Sequence, residues 1–295
     1  MMKRLTAVLF AAAMIPAAAA AQGLPALLVP ADCRSLSLGA TGTESSYDMD
    51  AGSVLDVRGI FGKWAPSAVD GTLAGGSAKF SVGNSLILHA ECVDFIDREY
   101  GITGEDGAIR GQFKPYDLMF SAGAAYRIVQ PLTVRMKLRF ISSAIAPDAS
   151  ATALCADISA MYEKEAWSAW AAVRNIGSGP DYGGGRWSLP SLAAVGGSIR
   201  PIRAITATAE LGYMFNGAVT AGLGAVTAGL GAEYGISDLV FVRAGYHYGQ
   251  AEKALPSFVS AGVGVKISCI RLDAALLPAI GPVAGSFLLS AGVSF

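Results

Sequence analysis

Charge is scarce in this chain of 295 residues: Asp, Glu, Lys and Arg make up 15% of it, with 22 basic residues against 23 acidic. So even a balance gives no electrostatic footprint for nucleic acid or for an anionic membrane surface. There are two histidines, His89 and His247. Neither has a cysteine or a second histidine at ligand spacing, so no metal site is expected. No nucleophile motif accompanies them either, and the sequence offers no catalytic residue and no cofactor-binding motif. The four cysteines, Cys33, Cys92, Cys155 and Cys269, are widely spaced and form no CxxC. They read as isolated small apolar residues rather than a disulfide framework. Alternation puts Cys155 inward and Cys92 outward, with Cys269 at a tight turn. After the first 21 residues no apolar run approaches the ~18 that a transmembrane helix needs.

Apolar residues are nevertheless abundant, at 53%, and there are 36 glycines. A soluble β-sandwich also alternates apolar and polar residues, and is the plainer reading. A closed barrel explains more: one face of every strand meets lipid, and every backbone group is paired in the sheet. The carboxyl-terminal residues favour the barrel. Phe287, Leu289, Ala291, Val293 and Phe295 fall on one strand face, and Ser290, Gly292 and Ser294 on the other. Alternation ending in an aromatic is the pattern that outer-membrane assembly machinery reads. Phe287, Leu289, Val293 and Phe295 are therefore the expected insertion signal.

At the other end, Lys3 and Arg4 precede an apolar stretch from Leu5 to Ile15 and then an alanine run. Residues 1–21 are expected to be a secretory signal, with Gln22 as the mature terminus. Asp32 precedes Cys33, where a lipidation site needs a small residue. The mature chain, 22–295, reads as one barrel domain, with 22–50 as a segment inside its lumen.

The clearest strand is Val134–Phe140. Val134, Met136, Leu138 and Phe140 share one face, and Arg135, Lys137 and Arg139 the other. Each cation would cost about 2–4 kcal/mol facing lipid at the midplane, so that face must line the lumen. The pattern recurs with Asp157 and Ser159 inward, with Thr206, Thr208 and Glu210 inward, with Arg243 and His247 inward, and with Arg271 and Asp273 opposing Ile270, Leu272 and Ala274. Candidate strands lie near 53–63, 71–82, 84–95, 117–128, 131–142, 150–162, 167–175, 191–200, 204–214, 225–234, 238–248, 257–268, 270–277 and 283–295. That makes about 14, an even number as barrels prefer, with 107–113 as one possible addition. Tyr116, Trp167, Tyr213 and Tyr248 lie near strand ends, where interfacial aromatics belong. Gly101–Gly111 and Gly177–Pro190 read as long loops.

The lumen-facing charged candidates are Arg135, Lys137, Arg139, Asp157 and Arg243. For the cationic row, cross-strand neutralisation by neighbours such as Asp157 is the favoured account, over an anionic ligand. One heptad occurs twice: residues 217–223 and 224–230 both read Gly-Ala-Val-Thr-Ala-Gly-Leu. Seven is odd, so one strand cannot carry both copies without swapping faces. The first copy is expected in a loop.

Several short motifs keep a shared order: Pro115-Tyr116-Asp117-Leu118, Ser121–Ile128, Ile141-Ser142-Ser143, Ala146–Ala151, Ala156-Asp157-Ile158, Ala172–Gly177 and Leu272–Ala275. Over residues 112–295 this order resembles the PorV/PorQ branch of the FadL-like outer-membrane barrels, components of the type IX secretion system of Bacteroidetes. Ala31–Gly39 is similar to that family's amino-terminal segment, with Cys33 in place of an alanine. The Asn-Pro-Ala motif that usually follows is missing between Ser45 and Gly62. The resemblance implies an all-β transmembrane antiparallel barrel of about 14 strands in an outer membrane of Bacteroidetes type, its lumen partly filled by the amino-terminal segment. It implies a non-catalytic role in protein secretion and surface attachment. The implied partners are outer-membrane lipid, the barrel assembly machinery, translocon subunits and the C-terminal domains of cargo. The wider FadL-like fold offers the alternative of a transporter of small hydrophobic molecules, which predicts an apolar pocket behind Leu24–Pro30.

Overall fold

The computed structural model describes residues 24–42, 49, 52–65, 70–103, 108–216, 224–250, 255–278 and 283–295. The strands are β1 Leu55–Trp64, β2 Gly71–Val82, β3 Leu86–Ile96, β4 Tyr100–Thr103, β5 Ile109–Phe113, β6 Tyr116–Val129, β7 Leu132–Ala146, β8 Ala149–Glu163, β9 Trp167–Ser178, β10 Pro190–Ile202, β11 Ile205–Asn216, β12 Ala225–Ile236, β13 Val240–Tyr248, β14 Phe258–Ile267, β15 Ile270–Leu276 and β16 Phe287–Ser294. All but β4 and β5 join one closed antiparallel sheet of 14 strands. It closes where β1 pairs with both β2 and β16, with Phe61 opposite Ala74 on one side and Leu289 on the other. Closure leaves no sheet edge, as hydrocarbon requires.

The alternating pattern becomes two physically opposed faces. Outward residues such as Val195, Leu211 and Leu230 are 58–60% exposed. Inward ones include Lys79, Arg135, Glu210 and Arg243, all buried. This inverts a soluble domain and fits a sheet with lipid outside and a polar interior. Tyr116, Trp167, Tyr213 and Tyr248 all point outward near strand ends.

Connections differ between the ends. At the end where β1 begins and β16 finishes, strands join through short turns, such as Ser237–Leu239 and Ser268-Cys269. Ser237 and Asp238 take positive φ, 54° and 55°, the conformation of a tight hairpin turn with the strand twist. The opposite end carries the long connections. Short turns face the periplasm and long loops the exterior in barrels of this type.

Two loop expectations are revised. The segment read as the loop Gly101–Gly111 contains a hairpin, in which β4 pairs with β5 as a separate two-stranded sheet. Strand β9 runs on to Ser178 rather than ending near 175, because a bulge lets it continue beside β8. Of the duplicated heptad, the second copy from Ala225 onward forms the start of β12. The first copy, residues 217–223, lies outside the described residues, as does the signal segment 1–21. All four cysteines are free thiols.

Residues 24–42 lie inside the barrel. They form a single 3-10 turn at Pro25–Leu28 and a short helix, α1, at Cys33–Ser37. Asp32 caps α1, its Oδ2 accepting the Ser35 N–H at 2.7 Å.

Candidate functional site

The lumen is divided by what residues 24–41 touch. Helix α1 and the residues after it press on β12–β15, and on β12–β14 the wall beneath them is glycine. A Cβ on Gly229, Gly231, Gly245 or Gly262 would overlap Thr41, Leu38, Gly39 or Ser37 respectively. Gly39, at φ 73°, donates its N–H to Ser260 Oγ at 3.2 Å.

Ion pairs fasten the same contact. Arg34 grips Glu233 with two bonds of 3.0 Å, Nε to Oε2 and Nη2 to Oε1. Glu233 also accepts from Arg243 Nε at 2.6 Å. Arg243 reaches Asp273 at 2.8 Å, and Asp273 accepts from Arg271 at 2.9 Å. Asp32 lies 3.6 Å from Arg58. The sequence candidate Arg243 is thus a wholly buried strut under α1, remote from open space.

The other four charged candidates come together on the facing wall. Lys137 stands between Glu91 at 3.6 Å and Asp157 at 3.8 Å. Arg139 donates to Asp157 Oδ2 at 3.0 Å and to Asn175 Oδ1 at 2.7 Å. Arg135 is buried with Nη1 2.9 Å from the Met161 sulfur. The cross-strand neutralisation expected for this row is present at Lys137 and Arg139.

A β-bulge organises this wall. Arg174 and Asn175 together stand opposite Asp157, and Asn175 takes φ 57°. Both side chains therefore turn inward, where strict alternation puts Asn175 outward. The Asn175 N–H donates to Asp157 Oδ1 at 2.7 Å. Arg174 pairs with Glu210 at 2.9 Å, and Glu210 also accepts the Trp170 indole N–H at 2.8 Å. Beyond Leu192 opposite Arg174 the β9–β10 ladder stops. Bonds from Asn175 Nδ2 to the Pro190 carbonyl, and from Ser191 Oγ to the Asn175 carbonyl, bridge the seam instead.

Between the two sides lies a cavity of about 230 Å³. Ala26–Ala31 form its apolar boundary, joined by Ile60, Val93, Met119, Leu192, Met214 and Leu255. Arg135, Lys137, Arg139, Asp157, Arg174 and Glu210 form the polar one. Asp32, Arg58, Lys79 and Glu91 line it as well, so the expected apolar pocket behind Leu24–Pro30 is apolar mainly on the side of the segment itself. Glu210 was read as inward but not singled out as a site residue, and Glu91, Arg174 and Asn175 were not named as such; for Glu91 the inward phase of its strand was the available signal, and for Asn175 there was none.

At the long-loop mouth, residues 179–189 fold in over the lumen. The Tyr182 hydroxyl and Ser143 Oγ share a hydrogen bond of 2.6 Å, and Trp187 packs edge-on to Tyr182. Burial pushes the Tyr182 phenol above its ordinary range. Both histidines line the cavity. His247 Nδ1 faces the Gly39 carbonyl at 3.3 Å, and its ring stacks on Phe258. His89 shares the inward face of β3 with Glu91.

No family model and no curated protein matches this chain. Solved structures do. The CymD monoaromatic hydrocarbon channel is 12% identical, with TM-score 0.63, covering 93% of this chain and 99% of that one. The Pseudomonas putida toluene transporter TodX is 13% identical with TM-score 0.56, covering 93% and 98%. The fold is FadL-like. A second structure of the TodX transporter agrees, at 14% identity and TM-score 0.59 over 90% of this chain. At such identities the likeness concerns the FadL-like architecture, and the lumen chemistry has to be read from this chain's own residues.

Proposed function

We propose that this FadL-like barrel passes small hydrophobic molecules across the outer membrane. The observation that carries the reading is the lumenal cavity bounded by Ala26–Ala31. At about 230 Å³ it has room for a single ring or a short chain, with the Ala26–Ala31 side offering the apolar contact and the charged side chains opposite leaving room for water. The fold-level neighbours that transport toluene or conduct monoaromatic hydrocarbons are in keeping with that size. Fold alone does not fix function, so the weight rests on the cavity.

The motif order shared with PorV and PorQ makes a type IX secretion component the second reading. It rests on those motifs and draws no support from the cavity. One experiment separates the two: purification from outer membranes in mild detergent, followed by mass spectrometry of whatever stays bound. A co-purified small hydrophobic molecule, absent from a Leu28→Asp variant, is the expected result. Recovery of translocon subunits, or of exported proteins sharing a C-terminal domain, with an empty lumen would overturn the transport reading in favour of secretion.

A further inference from the structure

We infer that the lumenal segment is two devices: residues 32–41 are a permanent lining of the barrel wall, touching the route only at Asp32 and Ala40, and the stretch before them supplies most of the segment's border with it. Passage is then confined to the space between Ala26–Ala31 and the wall from β1–β3 round through β6–β11; this second clause rests on the transport reading, whereas the fixed seat does not.

The two halves are held by different physics. From Asp32 onward the segment is fixed by directional contacts: the Arg34–Glu233 fork, the Arg58–Asp32 pair and the Gly39 N–H on Ser260. Beneath it, Gly231, Gly245 and Gly262 are places where a side chain would occupy the volume of the plug itself. Backbone-to-backbone approach of this kind has no alternative partner nearby, so leaving the seat would expose both a glycine trough and a buried Glu233–Arg243–Asp273 row. Before Pro30 the contacts change character. Leu24 and Ala26 sit among apolar side chains, and the backbone bonds shown for this stretch close its own 3-10 turn, Leu27 N–H to the Leu24 carbonyl and Val29 N–H to the Ala26 carbonyl. Apolar packing is non-directional and permits sliding where an ion-pair fork does not.

Cys33 makes the idea testable, because its thiol is buried in the seat, beside Ser290, and burial pushes it up to about 12. In a background with Cys92, Cys155 and Cys269 replaced by alanine, Cys33 is treated with a water-soluble maleimide in the folded barrel. A fixed seat predicts labelling slowed by at least ~100-fold relative to the denatured chain. Rapid labelling of the folded barrel would overturn the proposal. Gly231→Val in the same background is expected to unseat the segment and speed labelling, with heat-modifiable gel mobility showing that the barrel persists. Continued protection in that variant would remove the glycine seat as the cause.

Adding Ser290→Cys allows oxidation to tie Cys33 to β16. Uptake of labelled toluene by cells carrying this variant is expected to be the same before and after reduction. Uptake that appears only after reduction would show that the segment has to move, and would overturn the inference. Protection of Cys33 with no uptake in either redox state would leave the fixed seat standing and refute the transport reading instead.

Discussion

Asn175 donates its backbone N–H to Asp157 Oδ1 at 2.7 Å, across a bulge that places two residues of β9 against one of β8. The same carboxylate accepts from Arg139 at 3.0 Å. Asp157 is therefore the group that fixes both the bulge and the cationic row. Its replacement by Ala leaves Arg139 and the bulge amide without their shared acceptor. The expected loss is about 2–3 kcal/mol, since part-buried charge-assisted bonds are being broken. Urea unfolding of the barrel in lipid vesicles measures it, and a loss under about 0.5 kcal/mol, the scatter of ordinary surface changes, would show that Asn175 holds the bulge unaided.

Lys137 has a smaller structural part. Asp157 keeps Arg139 when Lys137 is lost, so Lys137→Met strands only Glu91, 3.6 Å away. About 1 kcal/mol of destabilisation is expected, restored by adding Glu91→Gln. A double-mutant cycle under the same unfolding conditions gives the coupling directly. Additive effects would mean that the pair contributes nothing.

The contrast between these residues shows what could be read from the chain. Strand positions and faces were legible because lipid and lumen impose opposite chemistry on successive residues, a period that survives in Val134–Phe140 and Phe287–Phe295 alike. Asn175 was not, because a bulge breaks that period at one residue and leaves no mark in composition. The Arg34–Glu233 fork joins residues 199 apart, and no local pattern connects a lumenal segment to the strand on which it lands. The cationic row was visible, and the transporter alternative led to an apolar pocket behind Leu24–Pro30; that the two share one cavity was not legible, because residues 26–31 carry no strand period that would place them against β7.

Tyr182 gives a pH-dependent signature outside the membrane-spanning strands. Burial favours its neutral phenol, and Ser143 is its hydrogen-bond partner. A raised phenol pKa means that the contact stabilises the loop below the ordinary value of 10.0 and is lost as pH rises through the raised one. Ultraviolet titration of the wild type minus Tyr182→Phe is expected to show one tyrosine ionising above pH 10. A difference curve centred at or below 10 would mean that the loop does not hold the phenol.

The outward row Phe287, Leu289, Ala291, Val293 and Phe295 lies on the strand that closes the barrel against β1. We propose that assembly machinery reads this row. Phe295→Ser is then expected to lower folded barrel in cells several-fold while leaving refolding into detergent unchanged, because the side chain faces outward and its backbone bonds to Leu55 remain. Immunoblots of heated and unheated membranes report the first quantity and gel mobility after refolding the second. Equal loss in both would assign Phe295 to stability rather than recognition.

The lipid-facing assignment is tested most directly at one pair of neighbours on β7. Leu138 points outward and is 48% exposed, whereas Arg139 points into the lumen. Both lie near the middle of a strand of 15 residues. Leu138→Arg puts a guanidinium where hydrocarbon is expected, at a cost of about 2–4 kcal/mol in a bilayer. The same substitution on a water-facing sheet would cost under about 0.5 kcal/mol, as surface changes usually do. Unfolding of both forms in vesicles therefore distinguishes the two settings by a factor that exceeds the error of extrapolation, and near-equal stability would place that face of β7 in water.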